Sequence, residues 1–418
     1  MRKILIAAAT AMALSGTQAQ NVTLDSCYAW ARENHPLLKQ SGVTDELSAL
    51  RQKSIGASDL PQIDLTGRAT YQSDVTKLSL PIPGIKVSGM SKDQYKLYVE
   101  VKQKLYDFGM AKNRRAVEEA DRRVNVQQNE TELHKIRETV TGLYFQILAH
   151  QENERILRLK KEMLSERIGV IASSVKHGVA LQNELDNLKA ERLTAEQQIV
   201  ETESGKKTAL DLLVLITGRE SLYRSGSFGL PALQPDAASG YNRPELKLLD
   251  LQKNKMEKSS ALLSSSRLPG LFAFGQTGYG RPGLNMLNND FDTWYLVGVG
   301  LSWNLWDGNK TKHDRAALKK QMNLIDLQRD NLVRNLNMAA TQEENNYRKM
   351  KELMSRDVEI VALKEGIAKR TASALDNGTA TSADYIRDLN ASLQSKALLE
   401  LHKIQGAMAL ANLNVIKN

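Results

Sequence analysis

The sequence predicts an α+β chain built twice over, each half a hairpin of two strands leading into very long coiled-coil helices. Three observations predict it. Short motifs recur in the same order in both halves, proline is absent from two long stretches, and the hydrophobic period switches between strand-like and helix-like values.

The repeat comes first. Asn34-His35-Pro36-Leu37-Leu38-Lys39 is echoed by Asn242-Arg243-Pro244-Glu245-Leu246-Lys247. Leu60-Pro61 matches Leu268-Pro269, and Gly67 and Tyr71 match Gly275 and Tyr279. Val99, Leu105-Tyr106-Asp107 and Arg115-Ala116 match Val299, Leu305-Trp306-Asp307 and Arg315-Ala316. Gly178 with Glu184 matches Gly378 with Asp384. The matches are short, but their shared order argues for duplication. The first repeat is expected over 20–220, a Gly/Pro/Ser-rich linker over 221–240, and the second repeat over 241–418.

Ahead of the repeats, Arg2 and Lys3 precede the apolar run Ile4 to Leu14, and Thr17-Gln18-Ala19 offers a cleavage site. Residues 1–19 are therefore expected to be a secretory signal. The one cysteine, Cys27, permits no internal disulfide. Leu24-Asp25-Ser26-Cys27 weakly echoes a lipidation signal, but Asp25 is wrong for it, so a helix-packing cysteine is favoured.

All nine prolines fall outside 84–230 and 283–418. A proline inside a helix costs ~3 kcal/mol, so these gaps permit very long helices. Ile136, Val140, Leu143 and Ile147 step by four, three and four, as do Leu164, Ile168, Ile171 and Val175. Ala397, Leu401, Ile404, Met408, Ala411 and Val415 do likewise, giving the heptad seam of a coiled coil. Helices are expected over about 109–175, 181–217, 243–266, 308–375 and 382–416, with breaks at His177-Gly178 and Asn377-Gly378. A helix from about 110 to 175 extends on the order of 100 Å, far more than a compact globule needs.

Hairpins are expected over about 61–107 and 268–306. Ile63, Leu65, Gly67, Ala69 and Tyr71 alternate with polar residues, and Tyr95, Leu97, Val99 and Val101 repeat the pattern after a loop over about 74–93. Tyr295, Val297, Val299, Leu301 and Trp303 share a face opposite Gly298, Gly300 and Ser302. The strand near Leu271–Tyr279 alternates less cleanly. Strands of about ten residues with one apolar face suit a membrane β-barrel. Taken alone they suit a half-buried sheet packed on helices equally well. The secretory leader and the two hairpin-plus-helix repeats favour the barrel. Leu65, Tyr71, Leu97, Val99, Val101, Val297, Val299, Leu301 and Trp303 are then the lipid-facing candidates. Four strands cannot close a barrel, whose smallest examples have about eight, so a cyclic oligomer is required.

Composition excludes other classes. Charged residues are 25% and hydrophobic ones 41%, too apolar for a disordered chain and too charged for a helical membrane protein. The net charge of +9 is spread among acidic residues and reads as solvated helix faces, with no nucleic-acid partner expected. Asp107-Phe108-Gly109 lacks any accompanying phosphate loop and reads as a strand-to-helix turn. His134 and His150 lie on charged helix stretches and are expected to be solvated. No cofactor, metal site or catalytic constellation is expected.

These features resemble the TolC-like outer membrane efflux protein family. The likeness rests on Leu24-Asp25-Ser26-Cys27-Tyr28-Ala29-Trp30-Ala31-Arg32-Glu33-Asn34-His35-Pro36, the Leu-Pro before each first strand, and the Leu-Tyr/Trp-Asp with Gly109 or Gly308 after each second. Gly378-Thr379 followed by Asp384 completes it. The resemblance implies a homotrimer in the Gram-negative outer membrane, with a twelve-stranded barrel continued by an α-helical coiled-coil tunnel in the periplasm. It implies export from an inner-membrane pump through a periplasmic adaptor, with outer-membrane lipid around the barrel, in efflux or type I secretion. It also implies a tunnel gate with acidic rings, for which Asp384, Arg387, Asp388 and Glu184 are candidates. Gly178, Gly378 and Thr379 are the helix-turn candidates for adaptor contact. Arg387 stands where a second acidic residue is usual, which departs from the double ring. Asp384 also suits a helix N-terminus, and both roles stay open. The alternative reading is a periplasmic coiled-coil adaptor or interaction protein without a barrel.

Overall fold

The structure, a computed structural model, describes residues 22–76, 90–223, 228–234, 240–286 and 288–418. The expected leader, the middle of the first hairpin loop (77–89) and parts of the linker (224–227 and 235–239) lie outside the described residues. The elements in order are α1 (Leu24–Asn34), α2 (Pro36–Ala57), β1 (Gln62–Tyr71), β2 (Asp93–Tyr106), α3 (Met110–Lys176), α4 (Gln182–Thr217), α5 (Pro244–Ser265), β3 (Gly270–Arg281), β4 (Asp292–Ser302), α6 (Lys310–Asp376) and α7 (Ser382–Lys417). The order helix, two strands, two long helices therefore occurs twice. α3 and α6 are 67 residues each, and α4 and α7 are 36 each. Pro36 and Pro244 open their helices, where a missing N–H costs nothing.

Two compact units result, and they do not follow the two halves. One joins the chain up to Leu38 with Thr131–Arg243 and Val333–Asn418, and the other joins Lys39–Glu130 with Pro244–Leu332. Each unit draws on both halves because equivalent elements of the two halves lie together within it.

In the strand-bearing unit the sheet is fully antiparallel, in the order β1-β2-β3-β4. The β2–β3 pairing, such as Val99 opposite Thr277, fuses the two hairpins into one sheet. Ion pairs tie the helices of this unit together: Arg122 to Asp45 at 2.7 Å, Lys255 to Asp121 at 2.5 Å and Lys253 to Asp326 at 2.8 Å.

Aspartates make the strand-to-helix turns. Asp107 Oδ1 accepts from Gly109 N at 3.0 Å and Oδ2 from Ala111 N at 2.7 Å. Asp307 Oδ2 accepts from Thr311 N at 3.0 Å. Each satisfies amides that the first turn of a long helix would leave bare. Gly109 and Gly308 sit at φ 89° and 65°, where a Cβ would be strained.

The helical unit has two apolar clusters. One gathers Cys27 and Ala31 of α1, Val140, Tyr144 and Ile147 of α3, and Leu213 of α4. The other gathers Leu164 and Ile171 of α3, Leu188 of α4, Leu375 of α6 and Leu389 of α7. Cys27 is fully buried, and that burial pushes its thiol up to about 12. The linker region also joins the packing. Leu222 and Phe228 are buried, and the Tyr144 hydroxyl lies 2.8 Å from Val22 O and 2.7 Å from Gly229 O.

Two expectations fail here. His134 is buried, at 6% exposure, with Nε2 3.2 Å from Val415 O; the charged stretch around it covers only one face of α3. His150 is half-buried because its ring lies over Gly205 of α4, where an added Cβ would come within 2.6 Å of it.

Candidate functional site

Two places carry the residues the sequence singles out. The first is the sheet. Its register sets Leu65 opposite Val99 and Gly67 opposite Leu97 on β1 and β2. Across β2 and β3, Val101 faces Gly275, and across β3 and β4, Gly275 faces Val297 and Leu271 faces Leu301. One face thus holds Leu65, Tyr71, Leu97, Val99, Val101, Val297, Val299 and Leu301. Leu65 is 71% exposed and Val297 is 76% exposed, although both are apolar. Trp303 lies one residue beyond β4, and its indole N–H donates to Arg267 O at 3.0 Å.

The opposite face is polar on β1 and β2, with Asp64, Arg68, Lys96, Glu100 and Lys102. On β3 and β4 it is not. Phe272 and Phe274 lie there against Gly300 and Gly298, where a Cβ would collide with their rings. That exchange of glycine for ring is why β3 alternates poorly: a bulky residue on one strand is matched by an absent side chain on the next.

The second place is the pair of helical turns in the helical unit. At the first, Val179 N donates to Ser174 O at 2.8 Å, and at the second, Thr379 N donates to Ala374 O at 2.9 Å. Both are Schellman closures around glycine in the left-handed region, Gly178 at φ 71° and Gly378 at φ 70°. The identical wrapping explains why the two halves share this motif.

α7 then starts on a capping box. Asp384 N donates to Thr381 Oγ1 at 3.2 Å, and Thr381 N donates back to Asp384 Oδ2 at 3.3 Å. Arg387 donates to Asp384 Oδ1 at 3.0 Å and to Asp388 Oδ1 at 3.1 Å. Asp388 Oδ2 accepts from Thr371 at 2.7 Å. The Thr381 hydrogen bonds first, and Arg387 after them, hold the Asp384 carboxyl below its ordinary range. Glu184 of α4 accepts from the Ser382 backbone N–H at 2.5 Å, so it also serves the N-terminus of α7. The four acidic and basic candidates therefore converge on one helix end. Beside them a groove of about 390 Å³ runs between α3, α6 and α7, lined by Arg167, Asp376, Tyr385 and Lys396.

Among the described residues, no helix is long and apolar enough to cross a membrane, and no cluster of metal-ligating side chains occurs.

Structural comparison finds the same fold in outer-membrane proteins of known structure. The CmeC outer membrane channel of Campylobacter jejuni matches with a TM-score of 0.68 at 14% identity, over 94% of this chain and 85% of that one. VceC of Vibrio cholerae, an outer membrane protein, matches with a TM-score of 0.69 at 12% identity, over 94% and 96%. The open-state MtrE outer membrane channel of Neisseria gonorrhoeae matches with a TM-score of 0.63 at 12% identity, over 94% and 88%. The fold is that of the outer-membrane channels. In sequence, the family model for outer membrane efflux proteins matches residues 28–219. The resemblance to the TolC-like outer membrane efflux proteins thus holds in both signature and fold. No curated protein matches the chain in sequence.

Proposed function

We propose that three copies of this chain form the outer-membrane exit duct of a tripartite efflux or type I secretion assembly. The exposed apolar face of the four-stranded sheet carries this reading. β1 and β4 are its edges, 10 and 11 residues long, and each leaves a row of backbone groups unpaired. An exposed apolar sheet with two open edges invites pairing with another chain. Closure into a shared barrel satisfies both edges and turns the apolar face to lipid. Three chains give twelve strands.

In this arrangement the duct is a passage and not an enzyme. Substrates reach it from a periplasmic adaptor and an inner-membrane pump, which supply the energy. The turns at Gly178 and at Gly378-Thr379, with the groove beside them, form the adaptor-facing surface. Asp384 belongs to the gate at that end, with Arg387 offsetting part of its charge.

The test is the native mass of the mature chain extracted from outer membranes in detergent. Three chains per particle support the shared barrel. A stable monomer leaves both edges open and removes the channel in favour of a coiled-coil interaction protein.

A further inference from the structure

One row on the face opposite the apolar one is left electrostatically unbalanced by the strand register. Arg68 of β1 stands directly opposite Lys96 of β2. Like charges facing each other across neighbouring strands repel. Among the described residues, neither has an ion-pair partner, whereas Lys102 lies 2.8 Å from Glu100 and Lys104 lies 3.5 Å from Asp59. The facing carboxylates Asp64 and Glu100 sit two rows nearer the helices.

The same row continues through Gly280 to Asp292. Asp292 is two strands from Lys96, and its carboxylate accepts from Thr293 N at 2.8 Å. Gly280 must stay bare, because a Cβ there would come within 2.5 Å of Tyr95 O. Nothing on β3 therefore covers Lys96 on this face.

The adjoining row is Thr66, Tyr98, Gly278 and Trp294. The Tyr98 and Trp294 rings meet across Gly278 with centroids 5.6 Å apart. The Trp294 indole N–H is buried and, among the described residues, finds no acceptor. Two unanswered cations and an aromatic pair thus adjoin on one face.

We propose that this patch binds an anionic aromatic solute, with its charged group between Arg68 and Lys96 and its ring against Tyr98 and Trp294. The anion would relieve the cation–cation repulsion, and the flat ring would find an aromatic surface beside it. The inference rests on the duct reading in one respect: as a cargo site, the face opposite the apolar one must line the passage.

The experiment titrates naphthalene-2-sulfonate by calorimetry into the full mature chain extracted in detergent. Cyclohexanesulfonate and 2-naphthyl-trimethylammonium are run alongside. Naphthalene-2-sulfonate is expected to bind more tightly than either. Arg68→Gln should weaken it on the order of tenfold, the loss of one charge-assisted contact, while Arg68→Lys retains most of the affinity. Trp294→Leu should erase the preference for naphthalene over cyclohexane; because that variant removes packing, Arg68→Gln decides if it fails to fold. No binding by the unaltered chain, equal affinity after Arg68→Gln, or equal binding of the cationic probe each overturns the site. Conductance of the same preparation in planar bilayers separates the two ideas. A conducting oligomer that ignores the sulfonate sinks the site and leaves the duct. A monomer without conductance sinks the duct, and the titration still decides whether the patch binds.

Discussion

His402 of α7 donates through Nδ1 to Asp357 Oδ2 at 2.6 Å, inside the helical unit. Asp357 lies one heptad on from the buried Met350 of α6 and is itself buried. The carboxylate therefore occupies a seam position that an apolar residue would normally fill. His402 reaches it from the facing helix, and both side chains are mostly covered, at 17% and 12% exposure.

Removing one partner should cost more than removing both. Asp357→Ala leaves His402 largely buried without its acceptor and is expected to destabilise by about 1–3 kcal/mol. Asp357→Leu with His402→Leu should recover most of that loss, because a well-packed apolar pair replaces a polar one at little cost. Denaturant unfolding of the detergent-extracted protein measures both. A double variant as unstable as the single would show that the pair does more than satisfy itself.

Two glycines of β3 should respond very differently to the same change. A Cβ at Gly278 would come within 2.7 Å of the backbone oxygen of Leu97, which cannot swing aside, whereas Gly275 has nothing within 4 Å. Gly278→Ala is expected to cost about 1–3 kcal/mol as overpacking, and Gly275→Ala close to nothing. Heat unfolding of the two variants side by side gives the comparison. Equal melting temperatures would mean that the sheet accommodates the methyl by opening between β2 and β3.

Acid should loosen the strand-bearing unit through Glu119. Arg122 first, and Arg123 after it, hold the Glu119 carboxyl down at about 2, and Arg122 also grips Asp45 of α2. A carboxylate with a lowered folded value stabilises the fold above its ordinary range near 4.5, and the contribution is lost as pH falls toward 2. The group is 37% exposed, so solvent screening reduces the effect to a fraction of a kcal/mol. The difference in melting temperature between the unaltered chain and Glu119→Gln should therefore shrink below pH 4.5. A constant difference across that range would remove Glu119 from the acid response.

Fold class was legible because it depends on periodicities that run for tens of residues. Absent prolines left α3 and α6 free to extend, and two-residue alternation marked β1, β2 and β4. What escaped depended on register. Phe272 and Phe274 break the alternation of β3, and only their pairing with Gly300 and Gly298 explains why they are tolerated. Arg68 and Lys96 each looked like ordinary polar positions until the hairpin set them face to face. His134 looked solvated because its neighbours in sequence are charged, while its neighbours in space are at the end of α7. The caps were half legible. Asp384 stood out by its offset from Gly378, and Thr381 and Arg387 lie three residues either side of it, the spacing of a capping box and of a helical ion pair; the Glu184 contact with Ser382 joins residues whose meeting no spacing reveals.

The last prediction concerns those caps. Within one chain, the Asp384 and Asp388 carboxylates are both engaged by Arg387, at 3.0 and 3.1 Å, leaving one net negative charge in the trio. If this helix end borders the passage in the trimer, a threefold copy of the trio attracts cations. Arg387→Gln should then strengthen cation preference in planar bilayers, because it releases a second carboxylate in every chain. Asp384→Asn should weaken it. The two variants move selectivity in opposite directions, a pattern that simple damage to the cap cannot imitate, since fraying of α7 would push both the same way. Hydrogen exchange at Ser382–Tyr385 gives the control: loss of the capping box raises exchange in the Asp384 variant and leaves the Arg387 variant nearly unchanged. If selectivity stays fixed in both while exchange rises only in Asp384→Asn, Asp384 is a helix cap and has no part in the gate.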